Sequence, residues 1–312
     1  MLRFILKRLL AIIPVVLGVL LIVFSVMRMA PGDPAMAALG NRYTEEQYEA
    51  KKEELGLDRP FLVQFADYVV GVVTRFDLGT SYKSNRSVNT EILERLPVTL
   101  RLGLTGIVIT VVLGVPLGIL AAVKQYSIGD YIATVLSLIM ASMPSFWLGL
   151  MLIIIFALHL RLFPTGGNFG WKSLVLPAVT VGFGLAALIT RITRSSMLDV
   201  MRQDYMTTAR AKGCSEHRVI YKHGLKNALI PIITAIGLQM SLVITGSVLA
   251  ETVFSWPGIG RLVYESITRR DIPMVTGSII LCSILMCLIN LVVDLVYAFF
   301  DPRIKAQYSK KG

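Results

Sequence analysis

The sequence predicts an all-α integral membrane protein with six transmembrane helices, on three observations. Hydrophobic residues fill 54% of the 312 positions and charged residues only 16%, against about 25% charged in an ordinary soluble domain. Six runs are apolar enough to cross about 30 Å of hydrocarbon, which takes about 20 residues at about 1.5 Å each. The formal net charge is +11, and in membrane proteins Lys and Arg collect at the cytoplasmic ends of spans.

The first span runs from Leu9 to Met27 behind Arg3, Lys7 and Arg8. Ala35-Met36-Ala37 has the form of a signal-peptidase site, but the apolar stretch outruns the about 7 to 15 residues of a signal-peptide core and Pro34 adjoins the site. The span is therefore read as a retained anchor. An outer segment, 28 to 97, follows. Thr44 with Gln47 three residues on predicts a capping box, Glu45 and Glu46 suit the positive end of a helix dipole, and Gly56 with Pro60 ends the element. A second helix over Phe61 to Val73 places Phe61, Phe65, Tyr68, Val69 and Val72 on one face. That face can dock on the membrane spans or a partner, or simply pack within an external cap.

The remaining spans are Leu102 to Val123, Tyr131 to Leu158, Leu174 to Thr190, Ala228 to Ala250 and Thr276 to Phe300. In the second, Gly114-Val115-Pro116-Leu117-Gly118 offers either close helix approach or a kink. In the last, Asp294 is an intramembrane carboxylate with Asn290 one turn earlier on the same face. An acid at such a depth is a functional candidate, though a hydrogen bond to a neighbouring helix is the preferred reading of the pair. Pro257, Gly258 and Gly260 make a turn after the fifth span, and a short helix with Ile259, Leu262, Val263 and Ile267 on one face follows.

With the N-terminus inside, the cytoplasmic pieces 1–8, 124–130, 191–227 and 301–312 hold 16 basic residues and 5 acids, a net of +11. The short outer loops 161–173 and 251–275 hold 5 basic residues. The bias places both termini in the cytoplasm, and the outer segment is too long to count. The whole surplus is thus a topology signal, and no nucleic-acid partner is expected.

The segment 191–227 carries the most information. Arg191 and Arg194 leave the fourth span, and Asp204 to Gly213 reads as a helix stopped by glycine, with Arg210 and Lys212 in its last turn. Ser215 can cap a second short helix that runs to about Lys226. Small residues at Ala209 and Ala211 would let a partner's backbone come close. Chemistry alone leaves two readings open, a docking surface for a partner and a surface helix bound to lipid headgroups.

The run Tyr205 to Pro231, with Thr208-Ala209-Arg210-Ala211-Lys212-Gly213 and His223-Gly224-Leu225-Lys226-Asn227-Ala228, resembles the EAA loop of ABC importer permeases. In particular it resembles the permease shared by dipeptide, oligopeptide, nickel and glutathione importers. Further matches run the length of the chain in the family's order. They are Arg8-Leu9, Ala30-Pro31-Gly32-Asp33-Pro34, Leu55-Gly56-Leu57-Asp58 with Pro60, and Asp77-Leu78-Gly79-Thr80-Ser81. Arg95-Leu96-Pro97, Glu251-Thr252-Val253-Phe254 with Pro257-Gly258-Ile259-Gly260, and Asp294 with Asp301-Pro302-Arg303 complete them. Phe76 stands where the family usually has Gly, Ser87 where it often has Pro, Thr207-Thr208-Ala209 replaces Glu-Ala-Ala, and Lys226 takes the place of a proline found in more distant permeases.

The resemblance implies a type I ABC importer (MetI-like) permease fold with an extracytoplasmic helical insertion after the first span. The N-terminal region is then 1–94, the permease domain 95–305 and the cytoplasmic tail 306–312. It implies that Tyr205, Thr208, Ala209, Arg210, Ala211, Lys212, Gly213, His223 and Asn227 couple the chain to ATPases. Read from the residues themselves, Glu251, Phe254, Pro257, Gly258 and Gly260 form an outer gate or binding-protein contact, the alternative being an interface helix that caps the bundle, and Asn290 and Asp294 form an intramembrane polar pair. The implied partners are a second homologous permease, two cytoplasmic ATPases, an extracytoplasmic binding protein and the lipid bilayer, in the cell membrane of a bacterium or archaeon. The implied cargo is a di- or oligopeptide, with nickel or glutathione as alternatives.

No Gly-Lys dipeptide occurs, so no P-loop does either; ATP and Mg are expected on partner subunits, with no cofactor, metal or catalytic residue in this chain. A membrane enzyme is disfavoured because His159, His217 and His223 form no H-E-x-x-H. An ion-coupled secondary transporter would need inverted repeats or broken helices with buried charge, and Asp294 is the one such charge the sequence offers. Nickel would be easier to credit with Cys or His along the path, but His217 and His223 fall in the coupling loop, and Cys214, Cys282 and Cys287 have no ligand spacing.

Overall fold

The computed structural model describes residues 2–29, 33–40 and 42–300. Ala30-Pro31-Gly32, Asp301-Pro302-Arg303 and the tail 306–312 lie outside the described residues. Among the described residues the structure is helical, with one isolated antiparallel bridge between Thr80 and Ser87.

The first span lies on α1 (Leu2–Met29), which continues past Pro14. Two short outer helices follow, α2 (Pro34–Leu39) and α3 (Glu45–Glu54). The capping box forms: Thr44 Oγ1 accepts the Gln47 amide at 3.3 Å and Gln47 Oε1 accepts the Thr44 amide at 3.0 Å. Gly56, at φ +63°, turns the chain toward α4 (Phe61–Arg75). The end of α4 falls on Phe76 in the left-handed region, at φ +51°, where only glycine is unpenalised. That accounts for the glycine the family usually carries at this position.

The second span lies on α5 (Val88–Val123), which starts well before the predicted Leu102. The third is not one straight helix. It divides into α6 (Ile128–Ser142) and α7 (Ser145–Leu152), the latter running on as a π-helix over Ile153–His159, and the two arms are bent by 100°. Pro144 lacks an amide hydrogen and pushes Met143 to an extended conformation at φ −78°, ψ 120°. Next comes α8 (Trp171–Met201), which runs past the predicted end of the fourth span at Thr190, since no Gly or Pro interrupts residues 191–201.

Then come α9 (Asp204–Ala211), α10 (Glu216–Arg218), a π-helix over Val219–Leu225, and α11 (Lys226–Gly246). The expected short second helix therefore does not stop near Lys226; it continues without a break into the fifth span. The chain closes with α12 (Val248–Val253), α13 (Ile259–Arg269) and α14 (Ile272–Phe300). Among the described residues four helices are long and apolar enough to cross a membrane, and five spans result if the bent pair counts as one.

The helices form two compact units. One holds Leu2–Thr99 and Pro257–Cys287. Its core joins Leu20, Val72, Leu78, Val88, Ile92, Ile259, Leu262, Met274 and Ile280, with Phe65, Tyr68 and Val69 packed against it. The Phe61 and Phe65 rings lie 5.5 and 5.7 Å from Phe24 of α1, so the apolar face of α4 docks on the protein's own first span. In α13 the buried stripe is Ile259, Leu262 and Ser266, while Ile267, expected on the same face, is 52% exposed. Ile267 is eight residues from Ile259, which at about 100° per residue takes it well round from the buried stripe.

In the same unit, buried Asp271 stands just before α14. Its carboxylate accepts the Ser81 hydroxyl, the Tyr82 amide at 3.1 Å and the Met274 amide at 3.4 Å. Burial, with the Asp271 carboxylate adding to it, pushes the Tyr82 phenol up to about 12. Gly79, at φ +90°, brings the backbone close to Pro273. These contacts are a structural reason for the Gly79-Thr80-Ser81 part of the motif.

The other unit holds Leu100–Trp256 and the chain from Leu288. Here α5 and α8 meet almost backbone to backbone. A Cβ on Gly182 would lie 2.5 Å from the Gly106 carbonyl oxygen, and one on Gly118 would lie 2.5 Å from Thr193 Cβ. Thr110 donates to the Gly106 carbonyl at 2.9 Å and lies 3.1 Å from that of Gly182. The glycines at 114 and 118 thus serve close approach, one of the two roles their spacing allowed.

Candidate functional site

The end of α8, α9 and the π-helix fold into one small module. Met206, Ala209 and Val219 form its centre, with Val200, Met201 and Cys214 packed around them. The α9 helix closes in a Schellman motif: the Cys214 amide reaches the Ala209 carbonyl at 3.3 Å and the Gly213 amide reaches that of Arg210 at 2.9 Å. Gly213 takes φ +79°, the left-handed geometry expected of it. Arg210 Nε donates to Glu216 Oε1 at 2.7 Å across the turn. Ser215 opens α10 through its backbone carbonyl, which accepts the Val219 amide at 2.9 Å, and makes no side-chain cap. Gly224 is buried, and a Cβ there would meet Met206 Cε at 3.2 Å.

Of the residues expected to face an ATPase, Tyr205, Thr208, Ala211, Lys212, Gly213 and Asn227 are exposed, and Arg210 and His223 are half-buried. Ala209 is the exception. It is 8% exposed and faces Met206 and Val219, so its small size serves packing inside the module rather than a partner's approach. Asn227, in the first turn of α11, donates to the Tyr205 hydroxyl at 3.1 Å.

Glu251 and Phe254 are also buried, at 0% and 1% exposed. Ser247 Oγ donates to Glu251 Oε1 at 3.0 Å, and the Phe254 ring packs against Gly149 while its backbone carbonyl lies against Gly166. Neither side chain presents itself as a docking surface; both are held inside the second unit. In the first unit, Gly258 is buried and Pro257 and Gly260 are half-buried around the start of α13. The left-handed residue before that turn is Ser255, at φ +49°, and not a glycine. On α14, Asn290 Oδ1 accepts the Ser241 hydroxyl of α11 at 2.6 Å, the cross-helix bond preferred for it, and Asp294 is half-buried one turn on.

One constellation escaped the sequence reading. Asp130, 5% exposed at the start of α6, receives Arg194 of α8 in a two-pronged ion pair, with Nε to Oδ1 at 2.9 Å and Nη2 to Oδ2 at 2.8 Å. The pair lines a cleft of about 580 Å³ with Tyr126, Tyr131, Ser137, Arg191 and Arg202. Both residues were visible as charges at span ends, but nothing local in the sequence links positions 64 apart.

The described residues thus form a bundle of apolar helices that carries a helix, left-handed turn, helix module between the fourth span and α11. Two family models match it. Residues 1–103 fit the N-terminal part of the membrane component of binding-protein-dependent transport systems, and residues 114–306 fit the inner membrane component itself. The chain belongs to this family of binding-protein-dependent transport system inner membrane components.

It is 40% identical over 337 residues to the dipeptide transport system permease protein DppB of Escherichia coli (strain K12), with 98% of this chain and 99% of that protein covered. It is 42% identical over 305 residues to the glutathione transport system permease protein GsiC of Salmonella choleraesuis (strain SC-B67), again with 98% and 99% covered. An inward-facing structure of the MetNI methionine ABC transporter matches with a TM-score of 0.59 at 18% identity, covering 68% of this chain and 96% of that one. An amino acid ABC transporter with histidines matches with a TM-score of 0.51 at 15% identity, covering 69% and 94%. These structures show the fold. The family is one of ABC importer permeases, which are membrane proteins and not themselves enzymes.

Proposed function

We propose that this chain forms half of the translocation path of a peptide importer, paired with a second homologous permease and driven by two ATPases that dock on residues 205–226 of the two permeases. The observation that carries the reading is the module's construction. The exposed surface of α9 is closed by the left-handed turn at Gly213, and the following helix runs unbroken from Glu216 into α11. A push on that surface is thereby delivered to a span. Six spans with both termini in the cytoplasm agree with the distribution of basic residues. An extracytoplasmic binding protein delivers the cargo, and Mg and ATP reside on the ATPases.

Di- and oligopeptides are the cargo. The dipeptide and glutathione permeases at 40% and 42% identity support this, since glutathione is itself a small peptide. Nickel is the weaker alternative. The test is reconstitution of the chain with its partner permease, ATPases and binding protein in proteoliposomes, followed by uptake of labelled dipeptide, glutathione or nickel. ATP-dependent dipeptide uptake is expected. Uptake by this chain alone, without ATP, would instead establish an ion-coupled carrier.

A further inference from the structure

The Asp130–Arg194 pair is built more elaborately than a surface ion pair. The carboxylate accepts four donors: Arg194 Nε at 2.9 Å, Arg194 Nη2 at 2.8 Å, the Tyr126 amide at 3.1 Å and, more weakly, the Thr134 hydroxyl at 3.4 Å. Tyr126 holds φ +62° to point its amide there, a left-handed conformation that a tyrosine adopts only when its surroundings impose it. A planar guanidinium meeting both carboxylate oxygens fixes an angle as well as a distance, which a lysine ammonium does not. Three segments thus converge on one buried carboxylate: the turn after α5, the start of α6 and the body of α8.

What lies at either end of these helices gives the junction its meaning. Seven residues beyond Arg194, α8 ends at Met201, and Val200 and Met201 pack into the core of the module that contains α9. Met197 of α8 also packs with Ile119 and Ala122 of α5, with Ile220 of the π-helix, and with Ala228 and Ile232 of α11. Movement of the module therefore carries the end of α8 with it. At the far end of α6 the helix reaches Ser142 and the 100° bend at Met143 and Pro144. Besides this ion pair, α6 and α8 pack along their length, with Met140 of α6 against Ala186 and Ala187 of α8 deeper in the bundle.

We infer that Arg194 and Asp130 are positioning residues that transmit movement of the coupling module through α8 to α6 and its break at Pro144, so that loss of the two-pronged pair uncouples ATP hydrolysis from transport. This rests on the importer reading given above, and the experiment separates the two. The assembled importer in proteoliposomes would be compared for wild type, Arg194→Lys, Asp130→Glu and Asp130→Asn by three measurements: the amount of complex, the rate of ATP hydrolysis and the cargo moved per ATP.

Coupling between sites commonly amounts to about 5- to 150-fold. Arg194→Lys keeps the charge and loses the fork, so cargo per ATP is expected to fall at least about fivefold at equal complex. Asp130→Asn should match or exceed that loss, and Asp130→Glu, which keeps both oxygens, should recover part of it. A merely structural pair would lower the amount of complex and leave the ratio alone; an unchanged ratio in Arg194→Lys overturns the inference. Should Asp130→Asn fail to assemble, Arg194→Lys still decides the matter. Failure of the wild-type chain to associate with ATPases would instead defeat the importer reading itself.

Discussion

Asn227 Nδ2 donates to the Tyr205 hydroxyl at 3.1 Å and to the His223 carbonyl at 3.0 Å. One side chain thus ties α9 to the first turn of α11, bridging 22 positions of sequence across the turn at Gly213. Both residues are exposed, so water can take the place of either partner, and Tyr205→Phe should cost about 0.5 to 1.5 kcal/mol at most. Cargo moved per ATP should fall modestly in that variant and further in Asn227→Ala, which also frees the His223 carbonyl. Wild-type ratios in both would mean that the bond takes no part in coupling.

Gly213 separates conformational cost from steric cost. At φ +79° a side chain is strained, yet nothing lies within 4 Å of where a Cβ would be. A left-handed backbone costs a non-glycine residue about 1 to 2 kcal/mol, least for Asn and most for β-branched residues. Uptake should therefore decline in the order Gly213→Asn, Gly213→Ala, Gly213→Val, with ATP hydrolysis surviving longer than uptake. Undiminished uptake by Gly213→Val would sink the coupling role of the turn.

The helices themselves were legible because apolar runs, capping residues and helix-stopping glycines are local signals. Thr44 with Gln47, the turn at Gly213 and the apolar face of α4 all read correctly from a few neighbouring positions. Contacts remote in sequence did not. Asp130 and Arg194 lie 64 positions apart, and a hydrophobic period says which face of a helix is apolar and not which remote partner a polar group meets. Ala209 shows the same limit in miniature: a small residue on a surface helix suits close approach by a partner or by the helix's own neighbours, and here Met206 and Val219 occupy the space. The break in the third span has a local signal in Pro144, which lies inside an apolar run long enough to read as one continuous span.

The outer segment should respond to acid through Asp33. Burial opposes ionisation of its carboxyl, but hydrogen bonds from the Tyr48 hydroxyl at 2.6 Å and from the amides of Ala35 and Met36, with Lys52 nearby, hold it below the ordinary value. A folded value below the unfolded one gives stability that is complete above the unfolded pKa of about 3.9 and is lost as pH falls through the folded value. Amide protection over residues 34–54, measured relative to the intrinsic exchange rate at each pH, should accordingly fall below about pH 4, and Asp33→Asn should flatten that dependence. An identical pH profile in the variant would exclude Asp33 as the titrating group.

Inside the apolar spans, the bond between Ser241 and Asn290 can be measured as a pair. Hydrogen bonds between membrane helices average about 0.6 kcal/mol and reach about 1.7 kcal/mol. A double-mutant cycle of Ser241→Ala and Asn290→Ala, read by unfolding in mixed micelles, should return a coupling in that range. Asp294, one turn along α14, is expected to matter for assembly before it matters for cargo. Abolished uptake with unimpaired assembly in Asp294→Asn would reverse that order and place the carboxylate on the transport path.

The approach of α5 to α8 predicts an order among glycine substitutions that composition alone would not. A Cβ on Gly182 would meet the Gly106 carbonyl oxygen at 2.5 Å and Ile109 Cβ at 2.8 Å, so one of its two nearest obstacles is backbone that cannot rotate away. A Cβ on Gly106 would meet Val181 Cγ1 at 2.8 Å, the tip of a side chain, and one on Gly184 would meet nothing within 4 Å. Overpacking typically costs about 1 to 3 kcal/mol and more where the neighbour is rigid. Gly182→Ala should therefore destabilise most, Gly106→Ala less, and Gly184→Ala least, since an alanine in a helix is if anything favoured over glycine. Thermal unfolding of the purified protein in detergent would rank them. Equal losses at Gly182 and Gly184 would show that α5 and α8 are not held in this close contact.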